Sequence, residues 1–502
     1  MLKRMRSFLV LVMLFITVTM SAQVTTATMS GKVTAQDEPI IGATIVAVHE
    51  PSGTRYGTVT NVSGQFNLQG MRTGGLYKVE ISYVGYQTAI YKGINLLLGE
   101  NYVLNVSLKE SSELLDEVVV TASKESNMKS DRAGAIMNAN RDMINSTPTI
   151  SRSISDIMRL SPQGADVGNG FAVGGGNYRQ SFVTVDGAAF NNTFGLGGNL
   201  PANGSPISLD ALEQVTVAVT PFDVRQSGFT GGAINAVTRS GDNQFRGTVY
   251  GYFNNENLRG DRVEDYKLTR SKSQYYTYGA SFGGPIIKDK LFFFVNGEYE
   301  DNVTAGSSYQ PRTSLDQEYT GNVRRPVENT IVDGNETWVG LNDMRQYLKE
   351  KYNYDPGRYN NYSVNTPAYR IMARLDWNAN LNNKLSLRFT KTHTKDSNFP
   401  SSSTSPLSAD DIYPGDTGLG IPKGKDSGRS TKYSMSFENS NYYQVRDFTS
   451  VAGEWNSRFA NGAMNNMLRF AYSYQNEPRE YDGNPFPTVD ILKDGASYAG
   501  FG

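Results

Sequence analysis

The sequence predicts a mainly β chain: an N-terminal β-sandwich, a small α+β segment, then the first part of a large transmembrane antiparallel β-barrel. Three observations predict it. Gly at 50 and Tyr at 30 are high in a chain of 502 residues, a composition that favours turns and strands. Beyond Gln244, apolar and polar residues alternate with period two in segment after segment, as half-exposed strands do. The connections between those later segments are alternately long and short. The length also exceeds one domain at ~100–200 residues each.

The first element is a leader. "MLKRMRSFLVLVMLFITVTMSAQ" carries Lys3, Arg4 and Arg6 before an apolar run from Phe8 to Met20. That run is shorter than the ~20 residues of a membrane span and fits a secretory signal peptide over residues 1–22 better than an anchor. Cleavage is expected after Ser21 or Ala22, although Met20 fits poorly three positions into the Ala22 site. An exported protein follows from this.

Residues 28–110 read as the sandwich. "SGKVTA", "GATIVAVHE", "RYGTVTN", "GQFNLQG", "LYKVEISYVGYQ" and "NYVLNVSLKE" are short strands at sandwich spacing. Within them Tyr77, Val79, Ile81 and Tyr83 alternate with Lys78, Glu80 and Ser82. Composition narrows the chemistry. Lys+Arg is 48 against Asp+Glu 49, so no basic field exists for nucleic acid. Cys is 0 and His 2, which removes disulfides and thiolate sites and leaves His49 and His393 without ligand clusters. No catalytic residue, metal site or cofactor is expected, and His49 is read as a surface residue at a strand end.

Next comes "ESSELLDEVVVTASKESN", Glu110 to Asn127, where Val118 to Val120 form a strand-prone sliver among acidic and Ser-rich flanks. It is either a last strand of the sandwich or a strand whose partner lies in another protein. The α+β segment, residues 130–241, opens on "TISRSISDIMRLSP", with Ser or Thr caps and a Pro stop. The strands "SFVTVDG", "LEQVTVAVT" and "GGAINAVTRSG" follow between Gly-rich loops. Neither loop has G-x-G-x-x-G between a strand and a helix, so phosphate binding is disfavoured. "GASFG" around Ser281 lies inside an alternating strand without a strand-to-helix elbow, and is a chance match.

Residues 244–502 carry about seven segments of membrane-strand length, ~9–11 residues. Ile371, Ala373, Leu375 and Trp377 oppose Met372, Arg374, Asp376 and Asn378. Leu385, Leu387 and Phe389 oppose Ser386, Arg388 and Thr390, and Leu468, Phe470, Tyr472 and Tyr474 oppose Arg469, Ala471, Ser473 and Gln475. An apolar face toward lipid and a polar face toward a wet lumen account for this. Short turns such as "PIIK", "LNNK" and "ANG" alternate with long polar loops, which a soluble sandwich has no reason to do.

Three stretches carry a family resemblance. "GKVTAQDEPIIGATIVAV" with its continuation resembles the carboxypeptidase-regulatory-like domain, an accessory module and not the peptidase. "LDEVVVTA", Leu115 to Ala122, resembles a TonB box. "LEQVTVAVTPFDVRQSGFTGGAINAVTRSG" with "FRGTVYGYF" resembles a plug-to-barrel junction. Taken together the chain resembles a TonB-dependent outer-membrane transporter of the Bacteroidetes type. "YGASFGGPIIKDKLFFFVNGEYE" is closer to its Oar-like branch than to the glycan-importing branch with a surface lipoprotein lid.

The resemblance implies a cell outer-membrane protein whose sandwich and TonB-box linker, residues 113–124, lie in the periplasm, with a plug over 130–241 and a partial barrel over 244–502. Its implied partners are TonB with the inner-membrane proton-motive-force complex, outer-membrane lipid, and a small ligand: siderophore, oligosaccharide or peptide. Leu115, Asp116, Glu117, Val118, Val119, Val120, Thr121 and Ala122 would form the TonB box, pairing by strand addition. Asn177, Tyr178, Phe190, Asn191 and Phe194, in the Gly-rich loops, are the candidate ligand-facing residues. A barrel holding a plug needs about 22 strands, so the chain is expected to be an N-terminal half or a truncated product. The alternative function is a non-transporting adhesin or structural surface protein on the same scaffold, which needs no strand to pull.

Overall fold

The structure, a computed structural model, describes residues 24–110, 118–121, 136–149, 152–167, 170–192, 200, 206–219, 229–264, 266–267, 272–400, 432–459, 464–494 and 496–502. The expected leader lies outside these residues, as do Leu115, Asp116, Glu117, Ala122 and Phe194.

Two sheets make the sandwich. The first centres on β1 (Ala27–Ala35), paired antiparallel with β4 (Gln65–Met71) and in parallel with Asn101–Val103 and Val106–Ser107. The second contains β2 (Thr44–His49), β3 (Thr54–Val59), β5 (Leu76–Ser82) and β6 (Ala89–Asn95), and ends on β7 (Val118–Thr121) in the order β7-β6-β5-β2-β3. In β5, Tyr77, Val79 and Ile81 are buried while Leu76 and Glu80 are exposed, the alternation of a strand with one wet face. Their core neighbours include Met29, Ile45, Leu68 and Met71.

His49 departs from the surface position expected of it. It is 4% exposed, with Nδ1 2.7 Å from Ser52 Oγ and Nε2 2.7 Å from the Gly74 carbonyl. That carbonyl only accepts, so Nε2 carries the proton and Nδ1 accepts from Ser52. The ring packs 5.1 Å from Tyr77. Burial, then the nearby Arg72 charge, lowers its pKa to about 3. The turn after His49 folds back over the ring, and this closure buries a residue that strand position alone leaves at the edge.

The plug sheet runs β8 (Ile136–Ala139), β10 (Leu212–Ala218), β11 (Gly232–Thr238), β9 (Ser181–Val185), with β9 and β11 parallel and the other two pairings antiparallel. Two short helices precede β9. In α1 (Arg141–Ser146) Asn140 caps by accepting from Met143 N, and in α2 (Ile154–Met158) Ser153 and Asp156 form a capping box.

The wall is a row of seven strands, each antiparallel to the next: β12 (Arg246–Asn255), β13 (Ser273–Ile287), β14 (Leu291–Ala305), β15 (Ala368–Asn378), β16 (Asn383–Asn398), β17 (Tyr442–Phe459) and β18 (Met464–Asn476). Its two faces follow the expected phase. Ile371, Leu375 and Trp377 are exposed on β15, whereas Met372 and Arg374 are buried; Leu387 and Phe389 are exposed on β16, whereas Arg388 and Thr390 are buried. Rings and apolar side chains line up in register at two heights. Tyr278, Tyr299, Tyr369 and His393 form one row, and Trp377, Leu385, Trp455 and Leu468 the other. Tyr369 and Trp377 lie eight residues apart, ~26 Å along the strand before tilt, which suits an apolar band ~25 Å tall with interfacial girdles.

The strand ends at Ile287 and Leu291, Asn378 and Asn383, and Phe459 and Met464 lie at one end of the wall, and those at Asn255 and Ser273, Ala305 and Ala368, and Asn398 and Tyr442 at the other, where the long connections begin and end. The long ones are more than polar loops. Helix α3 (Leu341–Tyr352) buries Leu341, Met344 and Leu348 in a cluster with Tyr359, Phe437 and Phe501, drawn from all of 306–367, 399–441 and the segment after β18. The spacing of those three side chains is helical, a local signal inside a stretch whose overall polarity reads as loop.

Candidate functional site

A seam joins the plug to the inward face of the wall. Its apolar part is one continuous cluster: plug residues Ile154, Ile157, Val183, Phe190, Val215 and Ile234 pack with Phe294, Met372, Phe448 and Ala452 of the wall. Phe190 is 1% exposed and its ring lies 4.4 Å from that of Phe448. A lumen filled only with water would favour polar residues at these inward positions. Apolar side chains on the wet-face phase therefore mark where the plug touches.

The polar part centres on Asp186, in the turn after β9 at φ 52, a left-handed position that Asp tolerates better than most residues. Thr238 donates to it through its backbone N–H at 3.1 Å and its hydroxyl at 2.6 Å. From the wall come Arg388 at 3.4 Å and Arg374 at 3.8 Å. Arg374 also donates to the Thr238 carbonyl at 2.6 Å and grips Asp376 with two bonds of 2.8 and 3.0 Å. The side chains of Asp186, Arg374 and Arg388 are 5%, 6% and 6% exposed. Charges so buried hold only while paired and hydrogen-bonded.

Two further clusters repeat this design. Glu298 on β14 accepts from plug Ser208 at 2.9 Å, from Tyr250 at 2.5 Å and from Arg370 at 3.0 Å. Plug Asp210 takes Arg141 and wall Thr248, each at 2.8 Å. Burial alone would raise the Asp210 pKa, but hydrogen bonds from Ser281 and Thr248 and the Arg141 charge hold it below the ordinary carboxylate value. Ser281 thus stands in a plug anchor, its Oγ 2.5 Å from that of Thr248.

The expected ligand-facing residues separate into two groups. Asn177 and Tyr178 belong to an exposed turn: the Asn177 side chain accepts from Arg179 N at 3.0 Å, and Arg179 lies against the Tyr178 ring with its guanidinium 5.5 Å from the centroid. Phe190 and Asn191 are built into the plug instead. Phe190 fills the seam, and Asn191 is spent as a bracket, accepting from Val183 N at 2.7 Å and donating to the Ser181 carbonyl at 2.8 Å. Phe190 is thus buried, and the half-buried Asn191 is engaged within the plug.

Of the TonB-box candidates, Val118, Val119, Val120 and Thr121 are seen as β7. Their backbones run parallel to β6 in the register Val118↔Ala89, Val119↔Ile90, Val120↔Tyr91 and Thr121↔Lys92. The sliver therefore closes the sandwich edge while preceding the plug in sequence.

Comparison with known proteins agrees with this architecture. Residues 28–109 match the carboxypeptidase regulatory-like domain. The TonB-dependent transporter Oar of Myxococcus xanthus is 25% identical over 300 residues, 57% of this chain and 26% of that protein. The TonB-dependent receptor SusC of Bacteroides thetaiotaomicron is 29% identical over 221 residues, 41% of this chain and 20% of that one. This chain thus spans about a quarter of the length of the curated relatives it matches. Among solved structures, the outer membrane transporter YddB from Escherichia coli aligns at a TM-score of 0.44 and 10% identity, covering 69% of this chain and 40% of its own. Residues 237–497 match the outer membrane beta barrel domain, more than half of the 502 residues: the chain belongs to that outer-membrane family, and its homologues are TonB-dependent transporters.

Proposed function

We propose that the protein is an active-transport receptor of the outer membrane, which binds a small ligand at the cell surface and imports it with energy relayed by TonB. The observation that carries this reading is the seam between plug and wall. A folded plug is anchored to the inward face of the wall by buried ion pairs, so moving it requires work on the plug. Ligand meets the plug at the outer mouth, where Asn177 and Tyr178 are the candidates. The sandwich lies at the short-turn end, the periplasmic end of such barrels.

Val118 to Thr121 are the strand that TonB pulls, captured through main-chain hydrogen bonds by strand addition. Their pairing with β6 favours a second description, a closing strand of the sandwich. The two are successive states: the strand rests on β6 and is captured when it leaves. The ligand is a siderophore, an oligosaccharide or a peptide; one relative, of Acinetobacter baumannii, is named a probable siderophore receptor.

The test is a pull-down of the TonB periplasmic domain with a peptide covering Glu113 to Glu125, with Val119→Pro as control. Capture that Pro abolishes supports the reading. No capture, or capture indifferent to Pro, removes it and returns β7 to a purely structural role.

A further inference from the structure

The sandwich does not hang free of the barrel; it is seated on its short-turn end. Thr54 accepts from Asn378 Nδ2, at the end of β15, at 2.9 Å. The Pro51 carbonyl accepts from Asn243 N at 3.0 Å, and Arg72 donates to the Gly241 carbonyl at 3.0 Å, both at the plug-to-wall junction. Arg72 also stands 3.7 Å from Asp376. Arg458 of β17 donates to the Gly57 carbonyl, and Thr25 donates to Glu454. Lys384 lies 4.2 Å over the Tyr56 ring. Toward the plug, Leu98 N donates to Gln214 Oε1 at 3.1 Å, and Val24, Leu98 and Val237 form a three-residue apolar cluster.

Two properties of this contact matter. It reaches β15, β16 and β17 and the last plug strand together, so the sandwich covers the short-turn ends of three wall strands and the plug beside them. It is also mostly polar. Among the described residues its apolar part is that small cluster, and it borders a polar cavity of about 60 Å³ lined by Thr25, Thr54, Arg72, Arg374, Asp376 and Glu454. A permanent interface resembles a cut core, whereas a wet, hydrogen-bonded one suits parts that separate.

We propose that the sandwich is a second gate, a periplasmic lid that must lift from the barrel mouth before cargo leaves. The proposal rests on the transport reading above. The placement of β7 supplies the drive: seven residues join Glu110 of the sandwich to Val118, whereas fourteen separate Thr121 from Ile136 of the plug, so a pull on the captured strand draws on the sandwich before it reaches the plug. TonB then acts on the lid first.

The chain contains no Cys, so an introduced thiol is unique. Thr54 is 4% exposed in the seam, and Thr54→Cys is a small change. In cells carrying the full chain in the outer membrane, N-ethylmaleimide should label Thr54→Cys slowly without TonB and about tenfold faster with TonB and an energised inner membrane. Equal rates with and without TonB, fast or slow, overturn the lid. Equal rates while the Glu113–Glu125 peptide is still captured remove the lid alone; equal rates with failed capture remove the transport reading too. Docking has its own check. A Cβ built at Gly70 lies 3.6 Å from Asn456 Cβ, inside the disulfide range of ~3.5–4.5 Å, so G70C with N456C should bridge on mild oxidation. Gly70 sits at φ +66, which disfavours a side chain, so heat-resistant folding of the double variant is checked first. A folded variant that fails to bridge overturns the docked arrangement.

Discussion

The two seams of this molecule are built from different chemistry. Plug meets wall through buried, oppositely charged groups around Asp186 and through an apolar cluster that runs without a break from one to the other. Sandwich meets rim through hydrogen bonds to backbone carbonyls and hydroxyls and through the charged groups Arg72, Asp376, Arg458 and Glu454, with one three-residue apolar cluster among the described residues. Both seams hold buried charges that need their partners, but only the first adds an extended apolar cluster, whose loss on opening is not made good by water. The first seam is therefore a lock and the second a latch.

The largest expected effect comes from breaking the lock. Asp186→Ala removes the shared partner of Arg374 and Arg388, and should lower the free energy of plug opening by about 3–5 kcal/mol. Native-state hydrogen exchange at β9 and β11 measures it, and an unchanged plug would mean the ion cluster is incidental. Leu375→Arg, on the lipid face, is the control. It should cost the wall about 2–4 kcal/mol, read as loss of heat-resistant folding in lipid, without raising exchange in either seam.

Arg72→Ala tests the latch, with an expected loss of about 1–3 kcal/mol confined to sandwich docking. Proteolysis between sandwich and plug should speed up while the plug stays resistant; a loosened plug would show that the two seams are one. The smallest effect is acid-dependent. With His49 lowered to about 3 in the fold from an ordinary 6.5, the unfolded chain takes the proton first. Stability is thus full above pH 6.5 and falls as pH drops toward 3, by about 1 kcal/mol at pH 5.5. Urea titrations of wild type and His49→Gln at pH 7.5 and 5.5 should show that part of the slope only in wild type.

Strand phase in the wall was legible because lipid and lumen impose opposite polarity on alternate residues, so Ile371 and Arg374 declare their faces locally. The lock was half legible. Arg374 and Arg388 stood on the expected polar face, but nothing near Asp186 in sequence says that a wall will meet it. Met372 and Phe294 broke the polar rule on that face, a signal visible in principle. His49 was misread because its burial depends on Ser52 and Gly74 closing over it, contacts that no periodicity reports. The aromatic cluster around α3 was missed because three distant segments build it. Val118 to Thr121 stayed open to two readings, since a short β-branched strand fits any free sheet edge.

The most direct measurement is single-molecule pulling on the lipid-embedded protein through a handle at Ala122→Cys, a unique thiol between sandwich and plug. Force there loads β7 on one side and Ile136 on the other. Release of the sandwich first and at low force, with the plug yielding only later, is the order that a latch beside a lock predicts. A plug that leaves while the sandwich still holds the rim would contradict it.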